Sequence, residues 1–341
     1  MDIIKLKSWF LKTKRSFPWR GIDNPYAVWV SEIMLQQTLA SVVVPYFTRW
    51  ISLFPDIPSL ANASKEDVIK AWEGLGYYSR ARNLHAGAKH LLAYNGGVMP
   101  STLDELLRIP GIGDYTAGAI LNFAFGKKAP AIDGNVTRVI ARILALDKEV
   151  TTVKKEIRLY VETILPETDP HIISEALIEL GALVCKKAPE CVICPLRQNC
   201  NAYQNGQERL LPVVKQREKT IFIDRIVLVI EHKGNILLRK GAHGQIMQDL
   251  YEFPFFEEEG DKESNARRFF ETHFNFQGEL VKVLKKEKHT FTKYNVTLHP
   301  FYFSAKSIHD VEGYVWMPIE TLHTLPFSSG HRRLLKPLNT S

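Results

Sequence analysis

The chain has 341 residues, enough for two or three domains, each with its own core. Hydrophobic residues make up 45% and charged residues 24%, the balance of a soluble globular protein. No uncharged apolar run approaches the roughly 18 residues that would argue for a membrane span. Met1 to Arg20 mixes lysines with Trp and Phe and lacks the apolar core of a secretory signal, so a cytoplasmic protein without membrane partners is expected. The formal charge of +7 favours a polyanionic partner without demonstrating one.

In chain order, residues 1–202 read as a helical domain. Val136, Val139, Ile140, Ile143 and Leu144 recur at helical spacing, as do Ala176, Leu177, Leu180 and Leu183. Connectors carrying Pro, Gly or Asp punctuate the segments at Phe54–Pro58, Asn95–Pro100, Pro110–Gly113 and Asp133–Gly134. The polar stretch 203–221 reads as a linker. From Phe222 onward the texture changes to β-branched and aromatic runs: Ile226–Ile230, Ile236–Leu238, Val296–Phe303 and Tyr314–Trp316. With a charged helix expected within Asp261–Phe274, residues 222–341 form an α+β domain. A multidomain protein follows, all-α and then α+β.

Two motifs carry chemistry. In Leu106–Ala117 a Pro-Gly-Ile-Gly turn (Pro110–Gly113) enters a helix, so its free backbone N–H groups suit a DNA phosphate held without reading sequence. A tight helix–helix turn needing glycines for close packing accounts for the same residues, and the pattern is that of a helix–hairpin–helix. The second motif is the set of four cysteines, Cys185, Cys191, Cys194 and Cys200, which are the only ones in the chain. Disulfides within so short a stretch would constrain almost nothing. The cluster reads as metal ligation in a reducing compartment. Spacing leaves a zinc site and a [4Fe–4S] cluster open; because only the middle pair is close, the cluster is favoured.

Together these regions resemble the endonuclease III superfamily of base-excision glycosylases. Phe17–Arg20, Val28–Thr38, Gly74–Asn83 and Asp133–Arg138 are similar to the MutY branch, which excises adenine from mispairs. The resemblance covers nearly the whole chain and implies a [4Fe–4S] cofactor on the four cysteines. It also implies double-stranded DNA containing an adenine mispair as partner. A monomer is expected because one chain supplies both recognition and chemistry, and the lack of a targeting signal and the compact length lead to an expected bacterial cytoplasmic location. Bifunctional relatives place a lysine after the hairpin to attack the sugar; here Tyr115 stands there and cannot form an imine. A monofunctional enzyme is therefore expected.

The resemblance assigns Glu32 as the acid that protonates adenine and Asp133 as the anion that stabilises an oxocarbenium-like sugar. Read alone, Glu32 is a residue on a solvated helix face and Asp133 a helix N-cap. To be protonated near neutral pH, Glu32 must rise from about 4.3 to roughly 6 or 7, a shift of about 3 kcal/mol, which burial can supply. Tyr115 and Asn135 are the expected orienting partners. Trp19, Arg20 and Glu175 are expected to line an adenine pocket. Gln37, Leu75 and Tyr77, with Thr38 beside them, match wedge residues that fill the gap left by a flipped base. Gly111 and Gly113 are the expected phosphate-binding glycines.

The C-terminal domain resembles the Nudix-like domain of the same family, as at Asp249–Pro254. It lacks the Arg-Glu-x-x-Glu-Glu helix that a working Nudix hydrolase needs, and Glu257–Glu259 reads as a solvated loop. It is therefore expected to recognise 8-oxoguanine through Phe291, Thr292 and Lys293. Lys293 departs from the family's histidine, and the first cysteine gap is five residues where the family usually shows six. An endonuclease III-like enzyme acting on damaged pyrimidines and a non-catalytic iron–sulfur DNA-binding protein are the alternatives.

Overall fold

The computed structural model describes residues 1–215 and 219–338; residues 216–218, within the expected linker, and 339–341 lie outside the described residues. The helices are α1 (Ile3–Thr13), α2 (Pro25–Leu35), α3 (Ala40–Leu53), α4 (Ile57–Asn62), α5 (Lys65–Ala71), α6 (Ser79–Asn95), α7 (Leu103–Leu107), α8 (Asp114–Ala119), α9 (Gly134–Leu144), α10 (Val150–Ile164), α11 (Pro170–Leu183) and α12 (Asn201–Gln204). The residues pack as two units. One comprises Met1–Asn62 with Asn83–Gln216; the other comprises Ala63–Arg82 with Arg217–Ser341. Ala63–Arg82, which sequence order places inside the helical domain, thus packs with the C-terminal unit. Among the described residues no helix is long and apolar enough to cross a membrane.

In the first unit local chemistry sets the helix starts. Asn24 caps α2, its side chain accepting from the Tyr26 and Ala27 N–H groups, and Pro25 occupies the first turn. Asp133 caps α9 by accepting from Val136 N–H at 2.7 Å. The apolar stripes at helical spacing on α9 and α11 face each other: Val136, Val139, Ile140 and Ile143 pack with Ile173, Ala176, Leu177 and Leu180 in one core that Leu6 and Phe10 of α1 also enter. α2 is buried all round, from Tyr26 to Met34, so any polar group on it must be paired or neutral.

The second unit is built on a mixed sheet of β1 (Ile221–His232), β2 (Asn235–Lys240), β3 (Tyr251–Glu252), β4 (Phe255–Phe256), β5 (Gln277–Val283), β6 (Glu287–Phe291), β7 (Tyr294–Ser307) and β8 (Tyr314–Pro318). β1 and β7 run parallel in register from Ile221↔Tyr294 to Glu231↔Ser304. β5 and β6 pair antiparallel with β7, and β3 and β8 with β2. The sheet is covered on both faces. Val227, Val229, Ile236 and Phe327 belong to one core, and Ile226, Leu228, Phe270 and Phe303 to the other, which is why β1 reads as a continuous apolar run. The expected charged helix is α13 (Lys262–Arg268), continued by a π-helical turn at Phe269–His273; a last helix, α14, spans Ser329–Arg333.

Candidate active site and cysteine loop

Glu32 sits on the all-buried α2 with 6% of its surface exposed. Desolvation raises its carboxyl from 4.5 to about 7, against the Tyr115 hydrogen bond that lowers it and with Asp133 and Glu175 adding to the rise. Tyr115, in the first turn of α8, donates its hydroxyl to Glu32 Oε2 at 2.5 Å. Its phenol is pushed well above the ordinary range, first by burial and then by the charges of Glu32 and Asp133. The two side chains form one hydrogen-bonded unit, with Glu32 buried and Tyr115 half-buried.

Asp133 is at once the α9 N-cap and a member of this site. Oδ1 accepts from Val136 N–H, and Oδ2 accepts from the Asn135 side-chain amide at 2.7 Å. Burial pushes the Asp133 carboxyl up; the Val136 and Asn135 hydrogen bonds and the Arg138 charge pull it back without cancelling the rise. The cap and the catalytic reading are therefore compatible: the donors that start the helix also favour the anion.

A cleft of about 1090 Å³ gathers Glu32, Tyr115, Asp133 and Asn135 together with Trp19, Arg20, Gln37, Thr38 and Glu175. Trp19 stacks on Phe17 at 5.0 Å. Arg20 is held by Glu175 at 2.7 Å and Glu179 at 3.3 Å. Burial raises the Glu175 carboxyl although the Arg20, His171 and Lys14 charges oppose it. Glu179 also feels burial, but hydrogen bonds and charge from Arg15 outweigh it and leave that carboxyl below its ordinary value. Glu179 and Arg15 line the cleft too. Glu179 lies four residues after Glu175 on the inward face of α11, a spacing that could have revealed it. Gln37 is exposed and left-handed, with φ 57°.

Leu75 and Tyr77 lie in the other unit, on the turn after α5. Tyr77 is exposed, at 48%, with φ 47°. Leu75 is buried, at 6%, so of this pair only Tyr77 is presented to solvent. Gly111 is left-handed at φ 83°, and Gly113 is the extended N-cap of α8. Thr292 and Lys293 form the two-residue turn between β6 and β7, closed by the Phe291↔Tyr294 pair; Thr292 is left-handed at φ 49°. Phe291 packs on His289 and Tyr294 at its base.

The four cysteines border one small cavity of about 20 Å³ together with Arg142 and Glu208. Burial, together with neighbouring Cys185, Cys200 and Cys191, pushes the Cys194 thiol up to about 11. Four thiols lining one cavity resist joint ionisation unless a cationic centre joins them, and in donor chemistry the set fits an iron–sulfur group. As the side chains stand, no group of three or more His, Cys, Asp or Glu among the described residues is gathered to hold a metal ion.

Two arginines that the sequence reading did not single out tie this loop to α9. Arg142, 2% exposed, donates to Cys185 Sγ at 3.2 Å and to the Lys186, Lys187 and Leu211 carbonyls. Arg138 donates to the Cys185 and Gly181 carbonyls and to Asn135 Oδ1, each at 2.8 Å. Asn135 packs so closely on Gly181 that a Cβ there would lie 2.5 Å from its own. The helix that begins at Asp133 thus ends in the cysteine loop's grip.

The helices that place Glu32, the hairpin and Asp133 define a base-excision repair unit, joined here to a Nudix-type sheet. Accordingly residues 30–166 match the HhH-GPD superfamily of base excision DNA repair proteins, and residues 225–337 match the NUDIX domain. A solved thermostable thymine-DNA glycosylase superposes with a TM-score of 0.56 at 26% identity, covering 60% of this chain and 95% of that one. An adenine DNA glycosylase from Buchnera aphidicola subsp. Baizongia pistaciae (strain Bp) is 33% identical over 299 residues, 86% of this chain and 83% of its own length. The Homo sapiens adenine DNA glycosylase is 42% identical over 219 residues, 60% of this chain and 40% of the human protein. The chain belongs to the adenine DNA glycosylase family.

Proposed function

We propose that this chain is a monofunctional glycosylase that removes adenine opposite 8-oxoguanine or guanine from double-stranded DNA, acting as a monomer. The observation that carries the reading is Glu32. A carboxyl buried on an apolar helix, raised to about 7 and facing a cleft shared with Asp133, is an acid still protonated near neutral pH. Glu32 gives its proton to the flipped adenine. The C1′–N9 bond then breaks with its electron pair passing to the base. Asp133 faces the cationic sugar that remains, and Asn135 fixes that carboxylate through its amide. Water adds to C1′, its proton returning to the Glu32 carboxylate, and a hydroxyl is left on an abasic sugar. Tyr115 holds Glu32 in place and offers no amine, so the backbone stays intact.

Placement supports the remaining roles of this reading. Trp19 stacks and the Arg20–Glu175 pair hydrogen-bonds in the adenine pocket. Gln37 and Thr38 suit the gap left by a flipped base; within the other unit Tyr77 suits the same role, with Leu75 supporting its turn from inside. Gly111 and Gly113 admit a phosphate to the α8 N-terminus. Phe291, Thr292 and Lys293 read the base opposite; Lys293 can donate to a purine edge or grip a phosphate. Cys185, Cys191, Cys194 and Cys200 would hold a [4Fe–4S] cluster, which would cross-link the loop that Arg142 ties to α9 and that Arg138 links through Asn135 to Asp133.

The test is single-turnover incubation with duplexes holding one adenine opposite 8-oxoguanine or guanine, with and without later alkali. Strand breaks only after alkali are expected. Breaks without alkali would reveal an amine nucleophile, and no adenine release from either duplex would overturn the reading.

A further inference from the structure

The turn that presents Tyr77 is fastened to the C-terminal unit by a set of contacts spanning 166 to 259 positions in sequence. Glu73, the residue before that turn, is at their centre. Its Oε1 accepts from Phe327 N–H at 2.9 Å, and its Oε2 accepts from Lys70 Nζ at 2.8 Å. Lys70 also donates to the Leu325 carbonyl at 2.9 Å, and Arg332 stands 3.6 Å from Glu73. On the flanks, Lys240 pairs with Glu66 and Asp249 with Lys65, both at 2.7 Å, and Arg82 donates to the Gln248 carbonyl. Exposed pairs such as Lys240–Glu66 contribute little. Glu73 differs: its side chain is only 14% exposed, and it is the acceptor for a backbone N–H that would otherwise go unpaired.

The turn itself is stiff. Trp72 Nε1–H donates to the Gly76 carbonyl at 3.0 Å, Gly74 N–H donates to the Tyr78 hydroxyl at 3.2 Å, and Arg80 donates to the Leu75 and Gly76 carbonyls. A rigid turn held at its root by Glu73 follows whatever Phe327 and Leu325 do.

We propose that Glu73 is a positioning residue that makes the Tyr77 turn part of the C-terminal unit, so that the unit reading the opposite base also sets the pose of the residue filling the stack. This rests on the lesion-reading role proposed above for that unit. Engagement of 8-oxoguanine then carries Tyr77 into place, whereas a plain guanine leaves it to find its pose unaided.

The experiment compares Glu73→Ala and Glu73→Gln with the unaltered full-length holoprotein in two measurements. The first is the single-turnover rate ratio for adenine opposite 8-oxoguanine over adenine opposite guanine. Glu73→Ala is expected to lower that ratio by about tenfold, the scale of ordinary coupling between sites, with the rate opposite guanine unchanged. Glu73→Gln, which keeps an acceptor for Phe327 N–H, is expected to restore it. Rates falling together on both duplexes, or a ratio that does not move, would overturn the proposal. The second measurement, amide exchange at residues 72–78, needs no adenine excision. Glu73→Ala should lose protection there while the amides of α2 and α9 keep theirs; unchanged protection refutes the tether. If the unaltered protein releases no adenine, the functional reading fails while the exchange result still decides the tether. Should Glu73→Ala not fold, Lys70→Met, which loses the Leu325 contact, is read in the same way.

Discussion

At the scale of single residues, the role proposed for Glu32 sets function against stability. An acid neutral at pH 7 has to be buried, and burial of an ionisable group costs stability wherever the unfolded chain can ionise it. Below the unfolded value near 4.5 the carboxyl is protonated in both states, so folding loses nothing. Between 4.5 and about 7 the folded state binds the extra proton, so stability falls as pH rises. Above about 7 the loss is complete, at about 3 kcal/mol for a shift of this size. Glu32→Gln keeps the shape and an acceptor for the Tyr115 hydroxyl but cannot ionise. It should abolish adenine release and raise Tm at pH 8 by roughly 6 to 12 °C, with the gain fading toward pH 4.5. Calorimetry across that pH range decides: an equal gain at all pH values would mean that Glu32 is not held neutral. The sequence pointed to this residue only through family resemblance. Its charge alone suggests a solvated face, and the apolar run around it, from Ala27 to Met34, is what shows that no solvated face exists.

At the scale of elements, the two glycines of the hairpin between α7 and α8, both proposed to admit a phosphate, differ in what the fold itself asks of them. Gly111 has φ 83°, and a Cβ there would lie 2.6 Å from that of Asn83. Gly111→Ala therefore meets both backbone strain and a clash, and should lose about 2–4 kcal/mol. Gly113 has φ −106° and ψ −178°, open to any residue, and a Cβ there would have nothing within 4 Å. Gly113→Ala should fold with unchanged or slightly higher Tm, yet bind duplex DNA severalfold more weakly because its methyl occupies the approach to the α8 amides. Thermal melts and a binding titration at fixed salt measure the two losses separately. Undiminished affinity in Gly113→Ala would leave the hairpin a packing turn, the other account that the sequence allowed. The elements themselves were unevenly legible. β1, β7, α9 and α11 announce themselves by period or by apolar runs. β5 is exposed along almost its whole length and carries Gly278, so no burial pattern marked it.

At the scale of the whole molecule, what a sequence displays depends on how far apart its partners lie. The four cysteines fall within sixteen positions, and the hairpin within twelve, so both were readable as motifs. Arg142 was not: its bonds to Cys185 and to the Leu211 carbonyl span 43 and 69 positions, and nothing near it in sequence hints at a buried guanidinium. The assignment of Ala63–Arg82 to the C-terminal unit was still less accessible, since it rests on pairs such as Glu73 with Phe327. Reading the chain as consecutive domains would cut the protein at residue 215 and leave α5 without these partners. A fragment of residues 1–215 should therefore keep the core of α1, α9 and α11 while the amides of residues 63–78 exchange and are cleaved by protease far faster than in the full chain. The complementary fragment beginning at residue 219 would lack the groups that receive Phe327 N–H and Lys240, and adding a peptide of residues 63–82 should slow its unfolding. If residues 63–78 stay protected in the N-terminal fragment, that segment is held by the helical unit, and cutting the chain in sequence order preserves both folds.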